Sequence, residues 1–410
     1  MLVTLVLTLS LQLAFKPGSA FAIPPSPALC GPARVKAGDP ARVLKRTASR
    51  AHLADVLMSD AAADALVERS TDDSAAETSP APAIFDDVSR NDSPVRIQVV
   101  GVGGGGSNTV SRMIDMLGES AKSLRFASMN TDQQALTASK AELAVQLGAL
   151  CTRGLGAGGK PQVGRQAALE SQEAIETAVA DYDLVFITAG MGGGTGSGAA
   201  PVVAKLAREA SALVVSIVTR PFTFEGAQRH KQAEESIEAL LTHSDILIVV
   251  SNDRLLQIMP EGIPMADAFL VADEILRQGV VGLGDILTKP GLINIDFADV
   301  RRTIQSAGQA LLGIGRGEGP NRARDAATAA LSSPLLEVPL NRARRVVYTI
   351  CGPPEMSLAE VSEVGSTIEE FLCDADANII FGTTIDESMQ EGELVVTIIA
   401  TDLADLASAE

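Results

Sequence analysis

The densest concentration of residues that could do chemistry is a glycine run near the middle of the chain, AGMGGGTGSGAAP at residues 189–201. Ordered glycine costs roughly 0.5–1 kcal/mol relative to alanine in regular structure, so such a cluster needs a reason. The run follows an apolar stretch typical of a buried strand and precedes a helix-like stretch. There, glycine lets backbone amides approach an anion closely, and Thr195 and Ser197 add hydroxyl donors. The run therefore predicts a phosphate-binding loop.

Two further glycine-rich stretches share this context. GVGGGGSNT at 101–109 follows a predicted strand and opens a predicted helix, and RGLGAGGKP lies at 153–161. In a parallel α/β sheet, ligands bind at the carboxyl ends of the strands, where amides and helix N-termini can face an anion. Because two such loops can clamp a polyphosphate chain, the glycines predict a nucleotide phosphate site.

Two familiar phosphate motifs fit these loops only in part. Residues 101–106 satisfy G-x-G-x-x-G, the dinucleotide fingerprint, but this pattern alone is weak and does not require a second glycine clamp far along the chain. The segment from Gly154 to Lys160 matches most of a P-loop, yet Pro161 stands where Ser or Thr would hold Mg²⁺, and proline offers no amide. We reject the P-loop and keep a dinucleotide-dependent oxidoreductase as an alternative.

A pair of carboxylates is the second chemical feature. Asp296 and Asp299 lie three residues apart in NIDFADV, at a predicted helix start, so both can share one face. They could cap the helix and favour its dipole, or act on a substrate. No His, Cys or Ser dyad near the glycines suggests a nucleophile, and phosphoryl transfer to water mainly needs positioning and charge stabilisation.

Composition excludes several other classes of protein. The formal net charge of −18 argues against nucleic-acid binding, which needs clustered Lys and Arg. The four cysteines form no CxxC pair, so we expect neither a zinc site nor a disulfide framework and assign no metal ligand.

The pattern of elements predicts an α/β fold in two domains joined by a helix. Continuous apolar strands alternate with amphipathic helices, which indicates a parallel sheet covered on both faces. We expect a Rossmann-like nucleotide domain at 95–262, a connecting core helix within 263–290, and a C-terminal mixed-sheet α+β domain at 291–403, followed by a short tail at 404–410. Within the first domain, residues 165–182 are predicted to form one helix.

The N-terminus differs in character from the rest of the chain. Residues 2–15 are an apolar run too short to span a bilayer comfortably, and residues 16–50 are rich in Ala, Pro, Arg and Lys and poor in acid. We interpret 1–55 as a bipartite targeting leader, a signal followed by a transit-like segment as in plastids of secondary origin. A plain secretory signal is the alternative. Residues 56–94 are predicted to be a disordered linker.

Taken together, the motifs resemble the FtsZ family, the bacterial and plastid relatives of tubulin. The matching stretches run in order from about residue 95 to 401: GVGGGGSN, MNTD, GLGAG, AGMGGGTGSGAAP, PFTFEG with Arg229, SNDRLL and NIDFADV. The resemblance implies a GTP-binding domain, a core helix and a C-terminal domain. It also implies self-assembly into filaments.

The resemblance implies roles for individual residues. Glu225 and Arg229 would contact ribose and phosphate, although an i, i+4 surface pair is the alternative. Phe269 would stack on guanine, although an apolar residue on such a helix is by default core, and Asn252 and Asp273 would read the base or its sugar. The residues expected to bind GTP are Gly104, Gly105, Gly106, Ser107, Asn108, Asp132, Gly158, Gly193, Gly194, Thr195, Gly196, Ser197, Glu225, Arg229, Asn252, Phe269 and Asp273.

The resemblance also implies where hydrolysis takes place. Asn294, Asp296 and Asp299 would complete the site of the next subunit and polarise the attacking water, with Mg²⁺ supporting the phosphates. The expected partners are further copies of the chain, with other family paralogues and division-ring adaptors. The expected role is in the plastid division ring, in the stroma, with the mitochondrial matrix as the alternative location. A filament subunit that binds GTP without hydrolysing it remains a second alternative. We expect no transmembrane segment in the folded part, and a short tail that leaves membrane tethering to a partner.

Overall fold

The computed structural model describes residues 95–117, 123–259, 264–288, 293, 296–333, 335–336, 340, 343–372, 377–386, 389–390 and 392–403. The predicted leader, linker and tail, and the candidate Asn294, lie outside these residues.

A ten-stranded sheet runs through both domains in the order β3-β2-β1-β4-β5-β6-β7-β10-β8-β9. The strands are β1 (Ile97–Val102), β2 (Leu124–Asn130), β3 (Leu143–Gln146), β4 (Leu184–Gly190), β5 (Leu213–Arg220), β6 (Ile246–Ser251), β7 (Gly308–Glu318), β8 (Ala343–Gly352), β9 (Asn378–Ile385) and β10 (Glu393–Leu403). The first six strands are all parallel to their neighbours. This is the parallel sheet that the sequence predicts for the nucleotide domain.

Helices cover this sheet on both faces. They are α1 (Gly103–Leu117), α2 (Gln133–Thr137), α3 (Ala149–Thr152), α4 (Pro161–Glu170), α5 (Gln172–Val179), α6 (Thr195–Glu209), α7 (Ala227–Leu241), α8 (Asn252–Ile258), α9 (Met265–Thr288), α10 (Phe297–Ile304), α11 (Arg322–Leu331) and α12 (Leu358–Phe371). Along β1, Ile97 and Val99 enter one core while Val100 and Val102 enter the other. Successive strand side chains point to opposite faces, so a strand buried on both must be apolar throughout.

The helix predicted over 165–182 is wrong in its bounds, because two helices occupy the region. Ser171 ends α4 with φ −102° and ψ 24° and separates it from α5. Its hydroxyl accepts a hydrogen bond from the Gly148 amide at 2.9 Å. A serine bonded to another backbone segment offers the chain an alternative to helix continuation, and this contact is invisible to local periodicity.

The predicted core helix, α9, packs against both domains. The position of a Cβ on Gly279 would lie 3.2 Å from Ile217 of β5 and 3.1 Å from Leu312 of β7. One turn on, Gly282 faces Thr397 of β10 at 3.0 Å. Glycines at these two positions let the helix approach the sheet closely.

The C-terminal domain has the predicted mixed sheet. β7 pairs with β6 in parallel at its start and with β10 antiparallel along its later part. β8 is antiparallel to β10 and parallel to β9. Gly313, Gly315 and Gly317 share one face of β7, and a Cβ on any of them would overlap the backbone of α11. Among the described residues, no helix is both long and apolar enough to span a bilayer.

Candidate functional site

The first glycine loop turns directly from β1 into α1. Gly103 opens the helix with φ 74°, a left-handed value that favours glycine. Gly104, Gly105 and Asn108 are exposed, while Gly106 packs so tightly on Thr188 that a Cβ there would overlap its carbonyl. The first amides of a helix have no acceptor within it and carry its positive dipole end. The loop therefore presents free donors at the carboxyl edge of the sheet.

The second loop, residues 190–195, joins β4 to α6 at the same edge. Gly192 has φ 87° and donates its amide to the Ser197 hydroxyl at 2.8 Å, which fixes the turn. Gly194 precedes α6 and provides no side-chain cap, so the helix's leading amides stay open. Ser197 thus shapes this loop.

All three glycine loops meet at this edge. The position of a Cβ on Gly103 would lie 2.7 Å from the Gly196 nitrogen. A Cβ on Gly194 would lie 2.8 Å from Ala157 Cβ and 2.9 Å from the Lys160 nitrogen, in the loop at 153–161. Backbones this close leave no room for side chains, which is why the stretches are rich in glycine.

The space in front of the loops fits a polar ligand. A Cβ on Gly104, Gly158 or Gly193 would have no neighbouring atom within 4 Å. Within the described part of the chain, three buried polar atoms around this edge have no hydrogen-bond partner: Ser107 Oγ, Asn130 Nδ2 and Asn252 Oδ1. Buried polar groups are nearly always paired, so these atoms fit a bound phosphate, sugar or base.

Asn130 and Thr131 are site residues that the sequence reasoning did not single out. Thr131 bonds through its hydroxyl to that of Thr195 at 2.6 Å, tying the end of β2 to the start of α6. Both belong to the MNTD motif, so a signal was present. Its last residue, Asp132, caps α2 by accepting the amides of Gln134 and Ala135 at 2.9 and 3.3 Å.

Two candidate base-binding residues share a face of α9. Phe269 meets the buried Phe222 edge-on, with ring centroids 5.6 Å apart. Asp273, four residues later, is 8% exposed and accepts a hydrogen bond from Thr109 Oγ1 at 2.5 Å. Its other oxygen pairs with the Arg112 guanidinium. The sequence reasoning missed Thr109 and Arg112, because nothing local links them to an acid about 160 residues away.

The segment between β5 and α7 lies next to Phe269, because its Phe222 contacts that ring. Glu225 accepts the Phe222 amide at 2.9 Å through one oxygen and pairs with Arg229 through the other. Asp253 of α8 anchors the segment by accepting the amide and hydroxyl of Thr223 at 3.0 and 2.6 Å. The structure thus contains the i, i+4 ion pair between Glu225 and Arg229 that the alternative interpretation expected. This pair lies at the carboxyl edge of the sheet.

The acidic pair lies on the opposite edge of the sheet. Asp296 precedes α10, and its side chain makes no capping hydrogen bond; Asp299 contacts Arg302 at 3.0 Å. α10 ends beside the start of β5, where Arg301 donates to the Ser211 carbonyl at 3.1 Å. Both carboxylates are exposed. The structure therefore does not bring Asp296 and Asp299 to the glycine loops within one chain.

No cluster of three or more His, Cys, Asp or Glu side chains in the described ranges could hold a metal ion.

Comparison with known proteins identifies the family. Residues 96–260 match the GTPase domain of the Tubulin/FtsZ family, and residues 308–404 match the FtsZ family C-terminal domain. An empty FtsZ dimer from M. jannaschii is 44% identical, with a TM-score of 0.71, over 76% of this chain and 89% of that one. The chain belongs to the FtsZ family. Membership implies GTP and GDP binding and favours a phosphate clamp over a dinucleotide-dependent oxidoreductase.

Two more distant structures share the fold. The GDP-bound CetZ1 monomer from Haloferax volcanii is 22% identical with a TM-score of 0.65, over 75% of this chain and 96% of that one. The GTPγS-bound CetZ2 protofilament from the same organism is 23% identical with a TM-score of 0.62, over 74% and 92%. At this identity they support the architecture alone.

Proposed function

We propose that this FtsZ-family chain assembles head to tail into filaments and hydrolyses each GTP between two successive subunits. The observation that carries the proposal is the placement of the two chemical features. The glycine loops occupy the carboxyl edge of the parallel sheet, and α10 with Asp296 and Asp299 occupies its amino edge.

The separation of the two edges supports a site that is shared between two chains. β5 has eight residues, which at about 3.3 Å per residue span roughly 23 Å from edge to edge. A carboxylate must approach within hydrogen-bonding distance of the water that it activates. Stacking a second subunit so that its amino edge covers the first subunit's carboxyl edge closes this gap. Such a heterologous contact repeats without closing and generates a filament.

In such a contact, residues of two successive subunits have different roles in phosphoryl transfer. Amides at the starts of α1 and α6 hold the phosphates and accept the charge that develops on them. Asp296 and Asp299 of the next subunit orient and polarise the attacking water. Mg²⁺, when bound, would neutralise phosphate charge. Phe269 and Asp273 bind the guanine, whose N1–H and exocyclic amine a carboxylate accepts.

The relatives support self-association. The M. jannaschii FtsZ, at 44% identity, is described as a dimer, and the more distant CetZ2 as a protofilament. A filament would place the two opposed edges of successive subunits against each other.

The test is phosphate release from GTP over a range of protein concentrations, with Asp299→Asn and the matched control Glu142→Gln. Glu142 is an exposed acid paired with Arg125 at the surface. We expect specific activity to rise above a threshold concentration, to be lost in Asp299→Asn and to persist in Glu142→Gln. Activity strictly proportional to protein would mean that one chain holds the whole site. Filaments without turnover would indicate a non-hydrolysing scaffold.

We propose that the filament acts in plastid division, in the stroma. The support is the apolar run at 2–15 followed by a basic, acid-poor segment at 16–50. Residues 1–94 fused to a fluorescent reporter, expressed in a cell with a secondary plastid, should deliver it to the stroma. Delivery to mitochondria or secretion would contradict the location.

A further inference from the structure

The contact between α1 and α9 has no part in the proposed hydrolysis. Thr109 and Arg112, one turn apart on α1, each bind one carboxylate oxygen of Asp273 on α9. The aspartate side chain is 11% exposed and that of Arg112 is 35% exposed. A buried carboxylate with two donors on separate oxygens is fixed in position, because the hydrogen bonds to both oxygens restrict its rotation.

One helix thereby reaches both ends of a nucleotide. The first two turns of α1 carry Gly104 and Ser107 of the phosphate loop together with Thr109, and Arg112 follows one turn after Thr109. α9 carries Asp273 and, one turn earlier on the same face, Phe269. The two hydrogen bonds set the position of the base-reading carboxylate relative to the phosphate loop.

We propose that Thr109 and Arg112 are positioning residues that give the site its preference for guanine over bases lacking the exocyclic 2-amine. This inference rests on the proposed function and names a determinant of its substrate specificity. Each carboxylate oxygen has about two acceptor positions. One on each is taken by α1, which leaves one on each for the N1–H and the 2-amine of guanine.

Removing either donor frees the carboxylate to rotate while the phosphate loop stays intact. GTP binding should weaken because the amine loses an aligned acceptor. Inosine triphosphate has the same phosphates and N1–H but no 2-amine, so its affinity should fall less than that of GTP. The ratio of the two affinities therefore reports the orientation of Asp273, and the affinity for inosine triphosphate reports the phosphate loop.

The experiment measures equilibrium binding of GTP and inosine triphosphate to the full chain and to Arg112→Met, Arg112→Lys and Thr109→Val. The control is Arg125→Met, whose exposed guanidinium contacts Glu142 at 3.3 Å on the surface. We expect the unaltered chain to bind GTP at least about tenfold more tightly than inosine triphosphate. This difference corresponds to one hydrogen bond to a charged group, which inosine triphosphate cannot make. Arg112→Met and Thr109→Val should narrow the ratio to about threefold or less, chiefly through weaker GTP binding. Arg112→Lys should restore most of the preference, and Arg125→Met should leave it unchanged.

The contrary outcomes are distinct. Equal weakening of both nucleotides in Arg112→Met and Thr109→Val would show that α1 supports only the fold or the phosphate loop, and would overturn the inference. An unchanged ratio in these variants, or no preference in the unaltered chain, would overturn it as well. If the unaltered chain bound neither nucleotide, the proposed function itself would fail. Thermal unfolding of each variant identifies any that does not fold. If Arg112→Met does not fold, Thr109→Val tests the inference alone, because valine has nearly the same volume as threonine.

Discussion

Gly193 is the position where folding and nucleotide binding should respond in opposite directions. A Cβ built on this glycine meets no atom within 4 Å, and its φ lies outside the left-handed region. Gly193→Ala therefore introduces no clash within the chain. Alanine at a compatible glycine position typically stabilises by about 0.4–1 kcal/mol, because it restricts the unfolded chain.

The same methyl group occupies the space that we assign to the phosphates. It would displace at least one amide–phosphate hydrogen bond, and a bond to a charged group is worth about 1.5–3 kcal/mol. At about 1.4 kcal/mol for each factor of ten, GTP affinity should fall roughly 10- to 150-fold. Stability of the nucleotide-free protein and affinity for GTP thus change with opposite sign.

Urea unfolding without nucleotide and calorimetric titration with GTP measure the two quantities. Gly284→Ala is the matched control, because its Cβ would make an ordinary 3.7 Å contact with Leu124, at the start of β2 and remote from the loops. It should leave GTP affinity unchanged. If Gly193→Ala bound GTP as tightly as the unaltered chain, the open space would not be the phosphate site. If it unfolded, the local geometry would be wrong.

Two further predictions concern the C-terminal domain. A Cβ on Gly315 would overlap the backbone of α11 at Ala326 and Ala330. Gly315→Ala should therefore lower the free energy of unfolding, measured in urea, by about 1–3 kcal/mol. An unchanged free energy of unfolding would contradict this packing. The Arg322 guanidinium lowers the pKa of Glu360 to about 2, so the stabilisation is complete above the usual carboxyl pKa of about 4.3 and is lost as pH falls towards 2. Glu360→Gln should lose less unfolding free energy than the unaltered chain as the pH falls between these values. If the free energy of unfolding had the same pH dependence in the variant and in the unaltered chain, the pairing would be refuted.

The phosphate loops could be predicted from sequence because their cause is local. Glycines such as Gly103 and Gly192 are needed for their own backbone conformation, and they follow apolar strands that periodicity identifies. The core helix was equally readable from its apolar pattern. Such features depend on neighbouring residues in the chain.

Features that depend on distant parts of the chain could not be predicted in this way. The break at Ser171 depends on the Gly148 amide, and the partners of Asp273 lie on a helix in the other half of the chain. The placement of α10 at the amino edge follows from strand order, which no spacing reveals. Spacing alone therefore identified Asp296 and Asp299 as residues that could do chemistry, and only the resemblance to the FtsZ family implied that they serve the next subunit.

Mixing two variants that are each impaired at one edge tests the shared site most directly. Asp299→Asn keeps an intact nucleotide edge, and Gly193→Ala keeps an intact acidic edge. We predict that, at a GTP concentration too low to fill the weakened Gly193→Ala site, each variant alone releases little phosphate. In an equal mixture that forms random head-to-tail filaments, about a quarter of the contacts pair an intact nucleotide edge with an intact acidic edge, and turnover should recover in that proportion. A mixture no more active than the mean of its components, although both co-assemble, would contradict hydrolysis between subunits.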